Sequence, residues 1–228
     1  MQYLKIAGYQ ATTPYILEIA RGTVEVDVYI ETPNELVKQI LCECKYWNTP
    51  VTKEKVHAFR TVVYDSGAEL GIMISKNGYQ SGAIDAAKYS NIRLETWESF
   101  LNIIMHRWID NRLWTVKKMA ARVMSFDDVY DYECEKLTIQ ESIIYRHICN
   151  NMRKVTSQSC FVTKSKLMND NFYIEGTPIN SIYSDIEEYL NKLYQKLSDA
   201  LEILEKLSVK PNKPDRYIST MKAYMDNE

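Results

Sequence analysis

Glycine is scarce in this chain, with 7 residues in 228, and apolar runs are short, as in Val62-Val63-Tyr64 or Ile103-Ile104-Met105. A bilayer-spanning helix needs about 20 consecutive apolar residues, so no membrane span is expected. The first residues hold one lysine, Lys5, and no apolar block closed by a small-residue cleavage site, so no signal peptide is expected. The five cysteines stand at 42, 44, 134, 149 and 160 without a CxxC pair. That excludes a zinc ribbon and a dithiol redox motif, and it fits reduced thiols in a cytoplasmic protein. Neither sign of charge dominates: 28 basic residues face 30 acidic ones, for a net charge of −2. A nucleic-acid binder often carries a global basic excess, and this chain does not. No helix-turn-helix or zinc-finger pattern is present to read bases.

What remains is an ordinary globular composition, 46% hydrophobic and 25% charged. A chain of 26.7 kDa is large enough to bury roughly 70% of its unfolded surface, so it folds without disulfides or a structural metal. The 17 tyrosines, with many Asn, Ile and Lys, read as the codon bias of an AT-rich genome. Charge is unevenly spread: residues 1–103 carry 10 basic and 12 acidic groups, 104–166 carry 11 and 7, and 167–228 carry 7 and 11. Arg107, Arg112, Lys117, Lys118 and Arg122 fall along one predicted helix in the basic middle third. Such a row is a solvated face or, if the chain binds a polyanion, the segment to test first.

The first hundred residues alternate between strand and helix signals. Residues 15–20 form a short β-like run ended at Arg21-Gly22, and residues 24–30 alternate with period two. Thr32-Pro33-Asn34 signals a turn, residues 39–46 another strand, and Thr49-Pro50 its end. Thr52 can cap a helix to about Tyr64 with Val56, Phe59 and Val63 on one face. Leu70–Ser75 (LGIMIS) is an apolar strand, Asn77-Gly78 a turn, and Ser81 opens a helix whose Ala83, Ala86 and Ala87 allow close packing on a sheet. Residues 92–94 are a last strand. The order β-β-β-α-β-α-β predicts an α/β fold with a mixed sheet.

Beyond Thr96 the pattern is helical: 97 to about 124, then 139–154, then a polar stretch 155–180 with Gly176 and Pro178. Tyr183, Ile186, Leu190, Leu193, Leu197, Ala200, Leu204 and Leu207 follow at spacings of three and four. Pro211 and Pro214 end this heptad helix, 183–207. It predicts either a helix packed on its own domain or a seam for a homodimer or larger assembly. The domains expected are 1–100 and 101–228.

Two strands carry the chemistry. A single strand over 24–30 points its valines and Ile30 one way and Glu25, Asp27 and Tyr29 the other. In the next strand Cys42, Cys44 and Tyr46 share one face, opposite Leu41, Glu43, Lys45 and Trp47. Carboxylates and a lysine within apolar strands are costly to bury unless paired or bound to a metal. If the strands form a hairpin, Asp27, Glu43 and Lys45 converge. Two carboxylates plus backbone carbonyls suit an oxygen-seeking cation such as Mg²⁺. The lysine positions or deprotonates a water, or offsets charge on a phosphate, which suggests metal-assisted phosphodiester hydrolysis. The bland alternative is an exposed cross-strand salt bridge.

Asp27, fifteen residues, then Glu43-Cys44-Lys45 resembles the D-(x)n-E-x-K signature of the PD-(D/E)xK nucleases. The further phrases Cys44-Lys45-Tyr46-Trp47, Gly67-Ala68, Gly71-Ile72, Gly78-Tyr79, Ala83, Ala86-Ala87 and Asn91-Ile92 resemble the Mrr-type restriction endonucleases over about residues 4–100. The resemblance implies a restriction endonuclease-like mixed sheet flanked by helices, followed by the helical C-terminal region. It implies Asp27 and Glu43 as ligands of Mg²⁺ or Mn²⁺, the backbone carbonyl of Cys44 completing the metal shell, and Lys45 beside the attacking water. The implied activity is a DNA endonuclease acting in restriction or anti-phage defence. Two features depart from the family pattern. Residues 3–9 look like only the last turns of its opening helix, and Thr23-Val24-Glu25-Val26 replaces the usual glycine pair before the aspartate.

Other groups are secondary. Glu25 would bind a second metal or face solvent, with solvent favoured, and Glu18 is a weaker candidate. Cys42 and Cys44 are expected to be buried, inert thiols. His57, His106 and His147 lack a partner at helical spacing and read as surface or interface residues. Lys53, Lys55, Arg60, Arg107, Lys117 and Lys118 are candidates for nucleic-acid contacts. Two other functions stay open: an inactive nucleic-acid- or protein-binding module, and an effector subunit held by other defence-system proteins through its C-terminal helices.

Overall fold

The computed structural model describes residues 1–33, 35–129, 134–169, 172–174, 177–179 and 183–226. The chain divides into two compact units, Met1–Trp108 and Ile109–Glu228. Among the described residues no helix is long and apolar enough to cross a membrane.

The first unit runs α1 (Gln2–Ile6), β1 (Gln10–Thr12), β2 (Tyr15–Ile19), β3 (Gly22–Val26), β4 (Val28–Glu31), β5 (Gln39–Lys45), α2 (Lys53–Ser66), β6 (Leu70–Ser75), α3 (Ser81–Ala87), β7 (Ile92–Thr96) and the start of α4 (Trp97–Asp127). Five strands form one sheet in the order β1-β4-β5-β6-β7. The pairs β1–β4 and β4–β5 are antiparallel, whereas β5–β6 and β6–β7 are parallel. This is the mixed sheet the sequence predicts.

The expected single strand over 24–30 is in fact two. Asp27 is a bend. Before it, β3 pairs only with β2 in a separate antiparallel hairpin. After it, β4 enters the main sheet. The bend resets the alternation, so Val26 and Tyr29 join the same apolar cluster, while Val28 and Ile30 pack in the other. Tyr29, expected among the outward polar groups, is instead buried, stacked on Tyr15 with ring centroids 4.3 Å apart. The short edge strand β1 had no signal of its own in the sequence.

Both faces of the sheet are covered, which is why β6 reads as a continuous apolar run rather than an alternating one. On one face Leu41 and Met73 meet Val56, Phe59 and Val63 of α2 and Ala83 of α3. The three α2 residues lie at spacings of three and four, the stripe of a helix half-sunk in a core. Gly67 ends α2 with φ +74, a left-handed cap that an L side chain adopts at a cost. On the other face Cys42, Ile72 and Ile74 meet Leu4 of α1 and Phe100 and Ile104 of α4. Gly71 lies directly under α2: a Cβ there would stand 2.5 Å from Ile92 Cδ1, 2.7 Å from Val63 Cγ2 and 2.9 Å from Phe59 Cε1.

The second unit holds the rest of α4, then α5 (Ile139–Phe161), α6 (Lys164–Leu167), β8 (Phe172–Ile174), β9 (Thr177–Ile179), α7 (Tyr183–Leu204) and α8 (Pro214–Asp226). Thr138 opens α5 with a reciprocal capping box to Glu141. This helix continues past the expected end at 154 to Phe161. Within the stretch expected to be irregular, β8 and β9 pair antiparallel, while Gly176 lies outside the described residues.

The heptad residues of α7 are internal. Ile186, Leu190, Leu193, Leu197, Ala200 and Leu204 are all buried within the chain, and Leu201 widens the stripe. Helix α7 packs on α5. The expected seam for a second copy is therefore covered by the protein's own helices, because the apolar stripe is wider than a two-stranded coiled coil needs. Leu207 falls beyond the helix end.

Candidate active site

The site begins where β4 and β5 pair. Their register sets Val28 opposite Cys42. Continuing it by one residue brings Asp27 opposite Glu43. The bend frees Asp27 from the ladder, and its carboxylate takes over the role of the missing strand: Oδ2 accepts the backbone N–H of Cys44 at 2.6 Å. In a strand, the N–H and C=O of one residue point to the same edge. The Cys44 carbonyl therefore points toward the Asp27 side, whereas the Lys45 carbonyl points the other way and accepts Lys76 N–H at 3.1 Å.

Glu43 and Lys45 are two apart on β5 and share the α2 face. The Lys45 ammonium bonds Glu43 Oε1. Both are mostly covered, with side chains 22% and 17% exposed, so the pair is held in surroundings where charge is poorly screened. The Lys45 ammonium also lies 5.2 Å from the centre of the Trp47 ring, and Lys55 of α2 lies 5.8 Å from the same ring. An indole face attracts cations, so Trp47 steadies both lysines. Glu43, Lys45 and Lys55 line a pocket of about 210 Å³, together with Glu25. Glu25 is exposed, as favoured from sequence, yet it stands at the rim of this pocket rather than facing bulk solvent alone.

The donor set fits a divalent cation. Asp27 keeps its Oδ1, Glu43 keeps its Oε2, and the Cys44 carbonyl faces Asp27; these are oxygen donors of the type Mg²⁺ and Mn²⁺ take. Among the described residues no three His, Cys, Asp or Glu side chains gather as a metal centre. A shell of two carboxylates and one backbone carbonyl has only two such side chains.

The two cysteines of β5 diverge. Cys42 is buried and its thiol is pushed up to about 12 by burial. Cys44 is exposed, contrary to expectation, because the sheet beside it ends at Val28. Its thiol is also raised, first by desolvation and then by the Asp27 and Glu43 charges. At the far end of β6 the Tyr79 hydroxyl lies 2.6 Å from the Met73 carbonyl and 3.0 Å from that of Glu95, fastening the turn beside the site.

The cationic candidates are dispersed. Lys53 and Lys55 are exposed on the first turn of α2, next to the site. Arg60 donates to the Ala86 carbonyl at 2.9 Å. Arg107 is paired with Glu35 and stacked 4.3 Å above the Tyr9 ring. In the second unit Lys118 is exposed beside Trp114. Lys117 is fully buried, donating to the Cys160 carbonyl at 2.8 Å, so it offers no surface charge to a polyanion. Arg112 and Arg122 are held by Asn191 and Glu205. The basic row of α4 is thus not a free cationic face. His57, His106 and His147 are exposed.

A mixed sheet with a bent Asp strand beside an E-x-K strand defines a restriction-endonuclease type of unit. Residues 2–104 match the Mrr catalytic-domain model, described as a restriction endonuclease. This segment belongs to the Mrr-type restriction endonucleases of the PD-(D/E)xK superfamily. No curated protein matches the chain. Among solved structures, the crystal structure of a protein of unknown function, AF1548, is similar over 90% of this chain and 94% of its own, at 12% identity and TM-score 0.39. That likeness is too distant to carry an argument.

Proposed function

We propose that the N-terminal unit is a divalent-metal-dependent DNA endonuclease, with Asp27, Glu43 and the Cys44 carbonyl as the metal shell and Lys45 as the catalytic lysine. The observation that carries this reading is the Asp27 carboxylate held against the backbone of Cys44, between the two ends of the E-x-K pair. Mg²⁺ or Mn²⁺, when bound, supplies Lewis acidity toward a phosphoryl oxygen. The chain's own residues do the rest. Asp27 is prepositioned by its bond to Cys44, so its free oxygen loses little freedom on binding. Lys45, steadied by Trp47, holds a water against the phosphorus or offsets the charge that grows on the phosphoryl oxygens. Lys53 and Lys55, exposed on the first turn of α2 beside the site, are the candidates for contacts to flanking phosphates. The family resemblance supports a role in restriction or anti-phage defence, and the unpaired cysteines support a cytoplasmic setting; an effector subunit held by other defence-system proteins is the alternative.

The test is incubation of plasmid DNA, and separately of RNA, with the purified chain in Mg²⁺ or Mn²⁺ and in EDTA. Cleavage of DNA that needs the metal and is lost in Glu43→Ala and Lys45→Ala is the expected result. If the folded wild type binds DNA as the two variants do and none of them cuts in either metal, the site is a relic and the unit is a binding module.

A further inference from the structure

A cavity of the second unit has no part in the nuclease reading. It has a volume of about 980 Å³ and is walled by the end of α4, by α5, by the start of α6 and by α8. That is at the upper end of the range for small-molecule sites, which pair an apolar body with a few convergent polar groups. Its floor is apolar, formed by Met124, Cys160, Phe161 and Met221. Phe161 is 71% exposed and contributes its ring to the apolar part of this lining.

The charges around the floor are asymmetric. Asp127 and Asp128 are both engaged: Arg153 donates to the two Asp127 oxygens at 3.2 and 3.3 Å, and Asp128 Oδ2 accepts from the Tyr217 hydroxyl at 2.6 Å and from Asn212 at 3.3 Å. These bonds tie α4 to α5 and to α8, so the cavity is built before any ligand arrives. The cations are less committed. Lys166 donates one of its three protons, to the Phe161 carbonyl at 2.7 Å. Arg216 lines the cavity and forms no ion pair with a described residue.

We infer that this cavity is a binding site for a small amphipathic anion, whose acidic head is taken by Arg216 and Lys166 and whose apolar body lies on Met124, Phe161 and Met221. The acidic head is a phosphate ester or a carboxylate; both satisfy two cations beside an apolar floor. The inference is independent of the nuclease assignment, because none of these residues belongs to the first unit.

Fluorescence titration of the full chain with 1-anilinonaphthalene-8-sulfonate tests it, with N-phenyl-1-naphthylamine as the uncharged counterpart. Saturable binding at one site is expected. Arg216→Glu should weaken the sulfonate by about tenfold or more and leave the uncharged amine nearly unchanged. Ser157→Trp places an indole on an exposed helix position of the cavity wall, and it should weaken both probes. Circular dichroism and melting of each variant confirm that it is folded. Displacement of the sulfonate by 1-naphthyl phosphate assigns the phosphate-ester head, and displacement by decanoate assigns the carboxylate. Sulfonate binding that is unsaturable, that survives both variants, or that neither competitor displaces would overturn the inference.

Discussion

Asp27 and Cys44 are joined across seventeen residues by a single bond from a backbone N–H to a carboxylate oxygen, 2.6 Å long. The bond lies where the β4–β5 ladder would otherwise have continued, so it both closes the strand edge and aims a carboxylate. The two roles separate by substitution. Asn at 27 keeps an oxygen that can accept the Cys44 N–H but has no charge. Asp27→Asn should therefore melt within a few degrees of wild type while metal-dependent cleavage falls by about two orders of magnitude or more. Asp27→Ala should lose cleavage equally and also about 1 kcal/mol of stability. Paired thermal melts and cleavage rates check this; equal melting of both variants would remove the structural half of the claim.

On the proposed assignment, Lys45 and the metal ion would compete for Glu43. The ammonium bonds Glu43 Oε1, so removing it leaves a half-buried carboxylate without its cation. Lys45→Ala should abolish cleavage yet bind Mn²⁺ as tightly as wild type or more tightly, whereas Glu43→Ala should lose Mn²⁺ binding. Isothermal titration with Mn²⁺ measures both. Weaker Mn²⁺ binding in Lys45→Ala would mean that the lysine organises the carboxylate rather than contesting it.

Gly71 is fixed by packing. The Cβ of an alanine would enter the space held by Ile92, Val63 and Phe59, all nearer than 3 Å. Overpacking of this kind costs about 1–3 kcal/mol, so Gly71→Ala should unfold at lower urea concentration. Adding Val63→Ala should recover part of the loss, through the methyl groups removed beside the new Cβ. A midpoint unchanged from wild type would mean that α2 shifts away at little cost.

The parts of the site that could be read from the sequence are those set by local pattern. Alternation in 39–46, the stripe of α2, the apolar run of β6 and the spacing of Asp27 from Glu43-Cys44-Lys45 each follow from neighbours in the chain. The bend at Asp27 does not. Residues 24–30 alternate without interruption, and only the switch from the β2–β3 hairpin to the main sheet, a long-range event, breaks them. The aromatic Tyr29 in the supposedly polar row was the one local hint. Lys117 failed for a similar reason: its partner, the Cys160 carbonyl, lies 43 residues away, so helical spacing alone assigned it to the solvent. The same holds for Glu25, which reaches the pocket rim through the hairpin rather than through its own strand's pairing with β5.

Tyr29 makes stability fall at alkaline pH. Burial, then its bond to Glu31, raises its phenol from the usual 10.0 to about 12. The unfolded chain releases this proton near pH 10 and the folded chain holds it, so the stabilisation is complete below pH 10 and is lost as pH rises toward 12. The difference in unfolding free energy between wild type and Tyr29→Phe should be flat from pH 7 to 9. It should then shift against wild type by about 2 kcal/mol on approaching pH 12. Urea unfolding of both proteins across that range measures it, and a difference that stays flat would show that Tyr29 ionises freely in the folded state.

Leu190 is wholly buried on the inner face of α7, as are Leu197 and Leu204. A core leucine cut to alanine costs about 2–5 kcal/mol. If the stripe is sealed inside the chain's own helical unit, Leu190→Ala should lower the unfolding midpoint by the same amount at every protein concentration. A seam shared with a second copy behaves differently, since association stabilises the folded form by mass action and the midpoint then rises with concentration. Chemical denaturation of wild type and Leu190→Ala at protein concentrations a hundredfold apart, followed by far-ultraviolet circular dichroism, separates the two. Concentration-independent midpoints are expected for both, and a wild-type midpoint that climbs with concentration and loses that climb in Leu190→Ala would return the heptad to the role of an intermolecular seam.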